Sequence, residues 1–276
     1  MEILQTILMG IVQGLSEFLP ISSSAHLVFS SNAYKIVKNI PITQTNQEIF
    51  LDIMLHLGTL IAILIFFKKD ILQIFKAIYF GIKQKNYQTA DFKVGMYILL
   101  GTILTVVVAC PLYSLAEKLV FAPSLVAMLL IFTGLLLLFS EFYSKKHCRK
   151  SQVDIKISIM IGIAQGLASL PGFSRSGLTI STGLLAGMDR QTAARYSFLL
   201  SIPIIIGASL VYPILTVDLA EVVTYNWLAI IIGTIVSGVV GYFCIKYFLK
   251  FLNKFSLALF GYYCIMVGVI AFLFFK

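Results

Sequence analysis

The sequence predicts an all-α integral membrane protein built from two inverted-topology repeats, each a re-entrant helical hairpin followed by three transmembrane helices. Three observations lead to this prediction: an apolar composition, six long apolar stretches, and an internal repeat around two interrupted apolar segments. Of the 276 residues, 59% are hydrophobic and only 12% are charged. Soluble domains are typically about 45–50% apolar and about 25% charged. The composition therefore excludes a soluble globular enzyme, a disordered chain and a nucleic-acid-binding module.

Six stretches are long and apolar enough to cross a hydrocarbon core, which takes roughly 20 helical residues. Each of them is predicted to be a transmembrane helix. They are residues 49–67, 94–116, 123–142, 195–215, 227–245 and 255–275.

Two further apolar segments, residues 3–31 and 157–187, are each interrupted by a proline with serines beside it. The interruptions read Leu-Pro-Ile-Ser-Ser-Ser at residues 19–24 and Leu-Pro-Gly-Phe-Ser-Arg-Ser at residues 170–176. Non-helical backbone at membrane depth must be buried in protein or line a water-filled cavity. Each segment is therefore predicted to be a re-entrant helical hairpin that returns to the side from which it enters.

The basic residues indicate the orientation in the membrane. Loops 68–93, 143–156, 189–195 and 246–254 share one side and carry 6, 5, 2 and 3 Lys or Arg, which is 16 of the chain's 21. The positive-inside rule places these loops in the cytoplasm and both termini outside. The net charge of +9 is thus explained by topology, and no nucleic-acid partner is expected.

The sequence Gly-Ile-Val-Gln-Gly-Leu at residues 10–15 recurs as Gly-Ile-Ala-Gln-Gly-Leu at residues 162–167. Each copy continues into three predicted spans, and because three is odd the second copy enters the membrane upside down. The Gly-x-x-x-Gly pairs in both copies fit close helix packing within the hairpins.

The repeat predicts a single membrane domain over residues 1–276. Repeat one covers 1–142 and repeat two covers 157–276, joined by the basic cytoplasmic loop 143–156. Inverted repeats with discontinuous helices typically place a polar site near the midplane, where the broken elements meet.

The first hairpin carries a carboxylate, hydroxyls and an imidazole. Gln13 and Glu17 are four residues apart and share one helical face. A carboxylate within an apolar stretch is costly and usually functional, although Glu17 could instead lie near an interface or pair with a lysine. His26 can exchange a proton near physiological pH or simply hydrogen-bond a neighbouring helix. The hydroxyls of Ser22, Ser23 and Ser24 suit helix capping or an anionic ligand.

The second hairpin supplies the positive counterpart. Arg175 lies between Ser174 and Ser176, with Thr179 four residues on. An intramembrane arginine has to pair with an anion, and its planar fork suits phosphate. A purely structural salt bridge to Glu17 is the alternative. Together the two hairpins favour phosphoryl-group chemistry on an anionic substrate reached from the membrane.

These segments resemble the undecaprenyl-diphosphate phosphatases of bacteria, also called the bacitracin-resistance family. The family signatures (E/Q)-x-x-x-E and P-G-x-S-R-S-x-x-T are matched by residues 13–17 and 171–179, and the resemblance covers essentially the whole chain. Gln13 stands where many members carry a second glutamate.

The resemblance implies hydrolysis of undecaprenyl diphosphate to undecaprenyl phosphate and inorganic phosphate, with Mg²⁺ or Ca²⁺ as the assisting cation. The site would open to the outer face of the bacterial plasma membrane. This reaction recycles the lipid carrier for cell-wall synthesis and confers bacitracin resistance. The expected partners are the lipid substrate, membrane lipids and, as one option, a second copy in a homodimer.

Roles then follow for the predicted catalytic residues. Arg175 would clamp the diphosphate and stabilise charge on the transferred phosphoryl group. Glu17 would bind the cation or act as general base. Ser23 or Ser174 would be the nucleophile unless water attacks directly, and His26 would donate a proton or orient a neighbour. The predicted substrate-binding residues are Gln13, Ser22, Ser24, Ser176 and Thr179.

Two other functions compete with the phosphatase interpretation. A type-2 phosphatidic acid phosphatase needs Ser-Arg, five residues and then His, but the residue at that position is Ser181, so this mechanism is rejected. A polyprenyl-phosphate transporter or flippase stays open, since inverted repeats with broken helices are a common transporter design. Asp52 and His56, four apart in the first full span, could support the site from behind, form an ion-coupling site or lie at an interface, and the last is favoured.

Overall fold

The computed structural model describes residues 3–37, 39, 45–147, 152–211 and 224–276. Over these residues the regular structure is all helical, and α9 continues into a π-helical turn, Gly207–Val211. The helices are α1 (Ile3–Ser16), α2 (Ser23–Val37), α3 (Asn46–Phe66), α4 (Lys68–Gln84), α5 (Ala90–Leu119), α6 (Pro123–His147), α7 (Ile155–Leu167), α8 (Arg175–Leu185), α9 (Arg190–Ile206), α10 (Trp227–Leu252) and α11 (Ala258–Phe275).

Six helices in the described ranges are long and apolar enough to cross a membrane, namely α3, α5, α6, α9, α10 and α11. They correspond to the six predicted spans, so the prediction of a multi-pass helical membrane protein is confirmed. Residues 212–215 of one predicted span and 148–151 of the predicted basic loop lie outside the described residues.

Several boundaries differ from the hydropathy pattern: α6 continues to His147 and α10 to Leu252, so that parts of the predicted loops 143–156 and 246–254 are helical. Helix α5 has 30 residues and is about 45 Å long at 1.5 Å per residue, which exceeds the roughly 30 Å hydrocarbon core. Helix α9 begins at Arg190 instead of residue 195, because the Asp189 side chain accepts a hydrogen bond from the backbone N–H of Thr192 and caps the helix. Hydropathy detects the apolar part of a helix and misses its polar ends.

Both predicted interruptions are present. Helix α1 ends at Ser16 and α2 begins at Ser23, while α7 ends at Leu167 and α8 begins at Arg175. Gly172, inside the second break, has a φ of +104°. A Cβ added to Gly172 would also lie 2.5 Å from the carbonyl oxygen of Val126. Only glycine fits there without a shift of the surrounding backbone.

Each broken segment packs against a span from the other half of the chain: α1 lies along α10, and α7 lies along α5. A Cβ on Gly10 would lie 2.6 Å from the Gly233 carbonyl oxygen, and one on Gly162 would lie 2.8 Å from that of Gly101. The glycine pairs therefore provide close packing as expected. The prediction that these glycines pack within their own hairpins is wrong, because they pack against α10 and α5 instead. These long spans offer several turns of contact, whereas α1 and α2 meet less extensively.

Helix α6 brings the two breaks together, since both α2 and α8 pack against it. The α1–α2 break is further anchored by Phe18, which is fully buried and meets Phe198 of α9 edge to face at 5.5 Å between ring centroids. The residue next to Glu17 is thus fixed in the protein core.

Candidate active site

Four side-chain contacts join the α1–α2 break to the α7–α8 break and the start of α8; one of them is a 3.4 Å hydrogen bond from Arg175 Nη2 to the backbone carbonyl oxygen of Glu17. Arg175 Nη2 lies 2.5 Å from Glu17 Oε1. Ser22 Oγ donates to the carbonyl oxygen of Phe173 at 3.2 Å, and Ser176 Oγ donates to that of Leu19 at 2.9 Å. The two predicted hairpins therefore meet, and Glu17 and Arg175 form a salt bridge.

Glu17 is the centre of this arrangement, and its side chain is only 5% exposed. Its Oε2 accepts hydrogen bonds from Gln13 Nε2 at 2.8 Å and from Ser23 Oγ at 3.1 Å, while Oε1 faces Arg175. A buried carboxylate is tolerated only when it is paired and hydrogen-bonded. Gln13 Oε1 is buried and has no hydrogen-bond partner among the described residues, so this amide offers a free acceptor next to Glu17.

His56 also lies at the site, as one of the alternatives left open by the sequence allows. Its Nε2 lies 3.6 Å from Glu17 Oε2, and its Nδ1 lies 2.7 Å from the carbonyl oxygen of Asp52. The sequence pattern placed His56 and Asp52 on one face of α3. It gave no sign that this face turns towards α1, because the orientation of an apolar helix depends on packing partners far away in the chain.

His26 does not contact Glu17 through any hydrogen bond of the described residues. Its Nδ1 lies 2.7 Å from the carbonyl oxygen of Ser22, and its Nε2 lies 2.8 Å from the hydroxyl of Tyr263, whose ring is nearly parallel to the imidazole with 5.7 Å between the ring centroids. Because a carbonyl only accepts, Nδ1 carries the proton and the neutral Nε2 accepts from Tyr263. His26 thus tethers the α1–α2 break to α11, and its catalytic role stays a prediction.

Serines cap both helices that leave the breaks. The backbone N–H of Ala25 donates to Ser22 Oγ at 3.2 Å, and that of Gly177 donates to Ser174 Oγ at 3.1 Å. Ser22 has a φ of 68°, an uncommon value for a residue other than glycine. The positive ends of α2 and α8 therefore lie at the junction, where they favour an anion.

The remaining predicted binding residues divide into two groups. Ser24 Oγ lies 3.2 Å from Ser22 Oγ, and Ser176 reaches the other break as described above. Thr179 is instead fully buried; its hydroxyl donates to the Arg175 carbonyl oxygen and lies 2.6 Å from Ser197 Oγ. Thr179 braces the first turn of α8 against α9, so direct contact with substrate would require rearrangement.

Two openings reach the α1–α2 break. The first is a cavity of about 450 Å³ whose wall includes Ser24, Asp52, His56 and Pro171, together with the ion pair between Lys35 and Glu48 at 3.0 Å. The second is an apolar groove of about 440 Å³ between α1, α10 and α11. It is lined by Leu15, Leu19, Val239, Val240, Phe243, Cys244, Tyr247, Phe248, Phe251 and Phe260.

This geometry suits the binding and cleavage of a phosphoryl group. A guanidinium and two helix N-termini attract negative charge. A carboxylate in contact with a hydroxyl can take its proton when that oxygen attacks phosphorus. The described residues contain no group of three or more His, Cys, Asp and Glu side chains placed to hold a metal ion.

Comparison with known proteins identifies the family. The model of the family described as bacitracin resistance protein BacA matches residues 6–270. The chain is 39% identical to the undecaprenyl-diphosphatase of Methanobrevibacter smithii, covering 99% of this chain and 98% of that protein. It is 41% identical to the undecaprenyl-diphosphatase of Halothermothrix orenii, covering 98% and 96%, and 36% identical to undecaprenyl-diphosphatase 1 of Pseudoalteromonas translucida, covering 98% and 97%. This chain therefore belongs to the bacitracin resistance protein BacA family.

Proposed function

We propose that this protein hydrolyses undecaprenyl diphosphate to undecaprenyl phosphate and inorganic phosphate. Membership of the family and the relatives named undecaprenyl-diphosphatase support the reaction. The observation that carries the assignment of the site is the contact of 2.5 Å between Glu17 and Arg175, which come from separate breaks 158 residues apart. The product returns to cell-wall synthesis as lipid carrier.

Arg175 binds the diphosphate in this proposal. In the described residues it donates to Glu17 through Nη2 alone, and a guanidinium has five N–H donors. The other donors are free to take phosphate oxygens. They stabilise the charge that develops on the terminal phosphoryl group as its bond to the bridging oxygen breaks.

Glu17 acts as the general base. Ser23 is the hydroxyl that donates to it at 3.1 Å, whereas the Ser174 hydroxyl caps α8. This difference favours Ser23 over Ser174, either as nucleophile or as the group that holds the attacking water. In either case the proton of the attacking oxygen passes to Glu17, a new P–O bond forms, and the bridging oxygen leaves with the undecaprenyl phosphate.

A divalent cation, Mg²⁺ or Ca²⁺, fits the donor atoms of this site. Both ions prefer oxygen ligands, and Mg²⁺ usually takes one or two carboxylates together with substrate phosphates. The Glu17 carboxylate and the unpartnered Gln13 Oε1 would hold it. When bound, the cation supplies charge neutralisation between the two phosphates.

We also propose the inverted topology and an outward-facing site in the plasma membrane. The packing of the two halves supports the repeat, because the first helix of each hairpin lies against a span of the other half: α1 lies on α10, and α7 lies on α5. With α4 and the basic segment 68–93 in the cytoplasm, the start of α3 lies on the outer side, and the cavity beside His56 and Glu48 opens outwards. The apolar groove at Leu19 is the place for part of the isoprenoid tail.

The test is phosphate release from undecaprenyl diphosphate by the purified protein in detergent, with and without Mg²⁺ or Ca²⁺. Glu17→Gln and Arg175→Gln are each expected to lower kcat/KM at least about 100-fold, as for the loss of a charge-stabilising donor. Arg195→Gln is the matched control, because it breaks a more exposed ion pair with Asp70 and should leave activity within about twofold.

Two outcomes would contradict the proposal. A folded Glu17→Gln protein with wild-type phosphate release would remove Glu17 from the mechanism. A folded wild-type protein that releases no phosphate under any cation would favour transport of polyprenyl phosphate, with the same polar groups serving as a head-group site.

A further inference from the structure

Helix α4 lies entirely within the predicted loop 68–93, and it is the one helix of the described residues that falls wholly in a predicted loop. It begins at Lys68, directly after α3 ends at Phe66, and the intervening Phe67 is fully buried. It has 17 residues and is not among the six candidate spans. Since α3 is a candidate span, α4 starts where a membrane-crossing helix leaves the hydrocarbon core.

One face of α4 packs against the protein. Ile74 and Ile78 lie beside Gly95 of α5, where an added Cβ would come within 2.9 Å of both side chains. Asp70, the only acidic residue of α4, is 2.5 Å from Arg195 of α9. The negative charge of this helix is therefore turned towards the protein and neutralised there.

The opposite face carries large apolar side chains and lysines. Leu72, Phe75, Tyr79 and Ile82 follow helical spacing and are 58–66% exposed. Three exposed lysines at intervals of seven residues, or about two turns, form a second stripe beside them. These are Lys69, Lys76 and Lys83. Lys83 Nζ lies 5.9 Å from the centre of the Tyr79 ring.

Neither water nor hydrocarbon alone suits this face. Water would leave four large apolar side chains uncovered, and the bilayer centre would leave three ammonium groups without solvation. The boundary between headgroups and acyl chains satisfies both, because apolar side chains insert there while lysines extend to the headgroups. The absence of acidic residues from this face selects negatively charged headgroups.

We propose that this face of α4 binds anionic phospholipids at the membrane surface. Leu72, Phe75, Tyr79 and Ile82 insert below the headgroups, and the three lysines contact headgroup phosphates. On the orientation proposed above, these lipids belong to the cytoplasmic leaflet, whose surface is negatively charged. The inference does not depend on the proposed phosphatase activity.

Fluorescence quenching tests this assignment on the full chain. Trp227 is the only tryptophan, so Trp227→Phe combined with Tyr79→Trp leaves a single indole on the α4 face. This protein is reconstituted in vesicles of phosphatidylcholine and phosphatidylglycerol, with a nitroxide on the acyl chains of one lipid or the other. We expect quenching to be at least threefold stronger per labelled lipid when phosphatidylglycerol carries the nitroxide.

Adding Lys69→Gln, Lys76→Gln and Lys83→Gln should weaken this preference strongly, since each lysine near an anionic surface changes association roughly fivefold, although the exposed Lys68 of α4 remains. The matched control removes three other exposed lysines and should keep the preference; these are Lys145, Lys146 and Lys156. Equal quenching by the two labelled lipids, an unquenched indole, or loss of the preference in the control variant would each overturn the proposal.

Discussion

Gly172→Ala tests whether the backbone of the α7–α8 break must keep its conformation and close packing to position Arg175. The Gly172 φ of +104° lies in a region that L side chains rarely adopt. The added Cβ would meet the Val126 carbonyl oxygen at 2.5 Å and Leu129 Cβ at 2.8 Å. Ordinary van der Waals contact begins near 3.4 Å, so the break or α6 must move by close to 1 Å.

The size of the effect follows from this displacement. The disallowed backbone conformation alone costs about 1–2 kcal/mol, and the steric clash adds to it, so we expect a loss of roughly 2–4 kcal/mol in the free energy of unfolding. Arg175 is only three residues further along the chain. A misplacement of 1 Å at a reacting centre lowers the rate about 100-fold, and we expect kcat to fall by that factor.

The assay is phosphate release from undecaprenyl diphosphate, measured beside the thermal unfolding midpoint in the same detergent. Gly207→Ala is the matched control, because nothing lies within 4 Å of a Cβ at that position and its φ of −58° is ordinary. We expect Gly207→Ala to keep both the activity and the midpoint. A Gly172→Ala protein with wild-type kcat and midpoint would refute the claim that this break is a rigid support for Arg175.

Substitutions at four further positions separate residues that take part in the reaction from residues that only support the fold. Ser23→Ala should lower kcat at least about 100-fold and Ser174→Ala, which removes a helix cap costing about 1 kcal/mol, should act mainly on the unfolding midpoint; the reverse order would make Ser174 the reacting hydroxyl. His56→Ala should lower kcat/KM about tenfold because it removes a ring 3.6 Å from Glu17, with His56→Gln restoring most of it, and unchanged kinetics in His56→Ala would exclude His56 from the site. Glu141 is 2% exposed and paired with Arg190, so Glu141→Gln should cost about 3 kcal/mol in the free energy of unfolding while activity per folded molecule is kept; a selective loss of activity would contradict this.

Features governed by the properties of the bilayer could be predicted from the sequence. The spans follow from apolar length, because a helix must cover the hydrocarbon core. The breaks follow from Pro20 and Pro171, and the contact between Glu17 and Arg175 follows from the cost of an unpaired charge at membrane depth. In each case one strong physical constraint leaves few structures that the sequence could adopt.

Features that depend on distant packing could not be predicted. His26 is bound by Tyr263, which lies 237 residues further along the chain. His56 turns towards Glu17 because α3 packs against α1 and α10, and nothing in the local sequence of α3 indicates that rotation. Helix α4 was missed for another reason: its lysines interrupt the apolar run, so hydropathy registers a loop where an amphipathic helix forms.

The ion pair at the site is compatible with phosphate binding because Glu17 has other donors. Gln13 and Ser23 both donate to Oε2, on the side away from Arg175. When a diphosphate arrives, the Arg175 guanidinium can turn its remaining N–H groups to phosphate oxygens without leaving the carboxylate unsatisfied. A pair held by these two residues alone would resist opening, since removing one partner strands a buried charge. In the proposed mechanism, the amide of Gln13 and the hydroxyl of Ser23 therefore allow Arg175 to bind phosphate while Glu17 stays hydrogen-bonded.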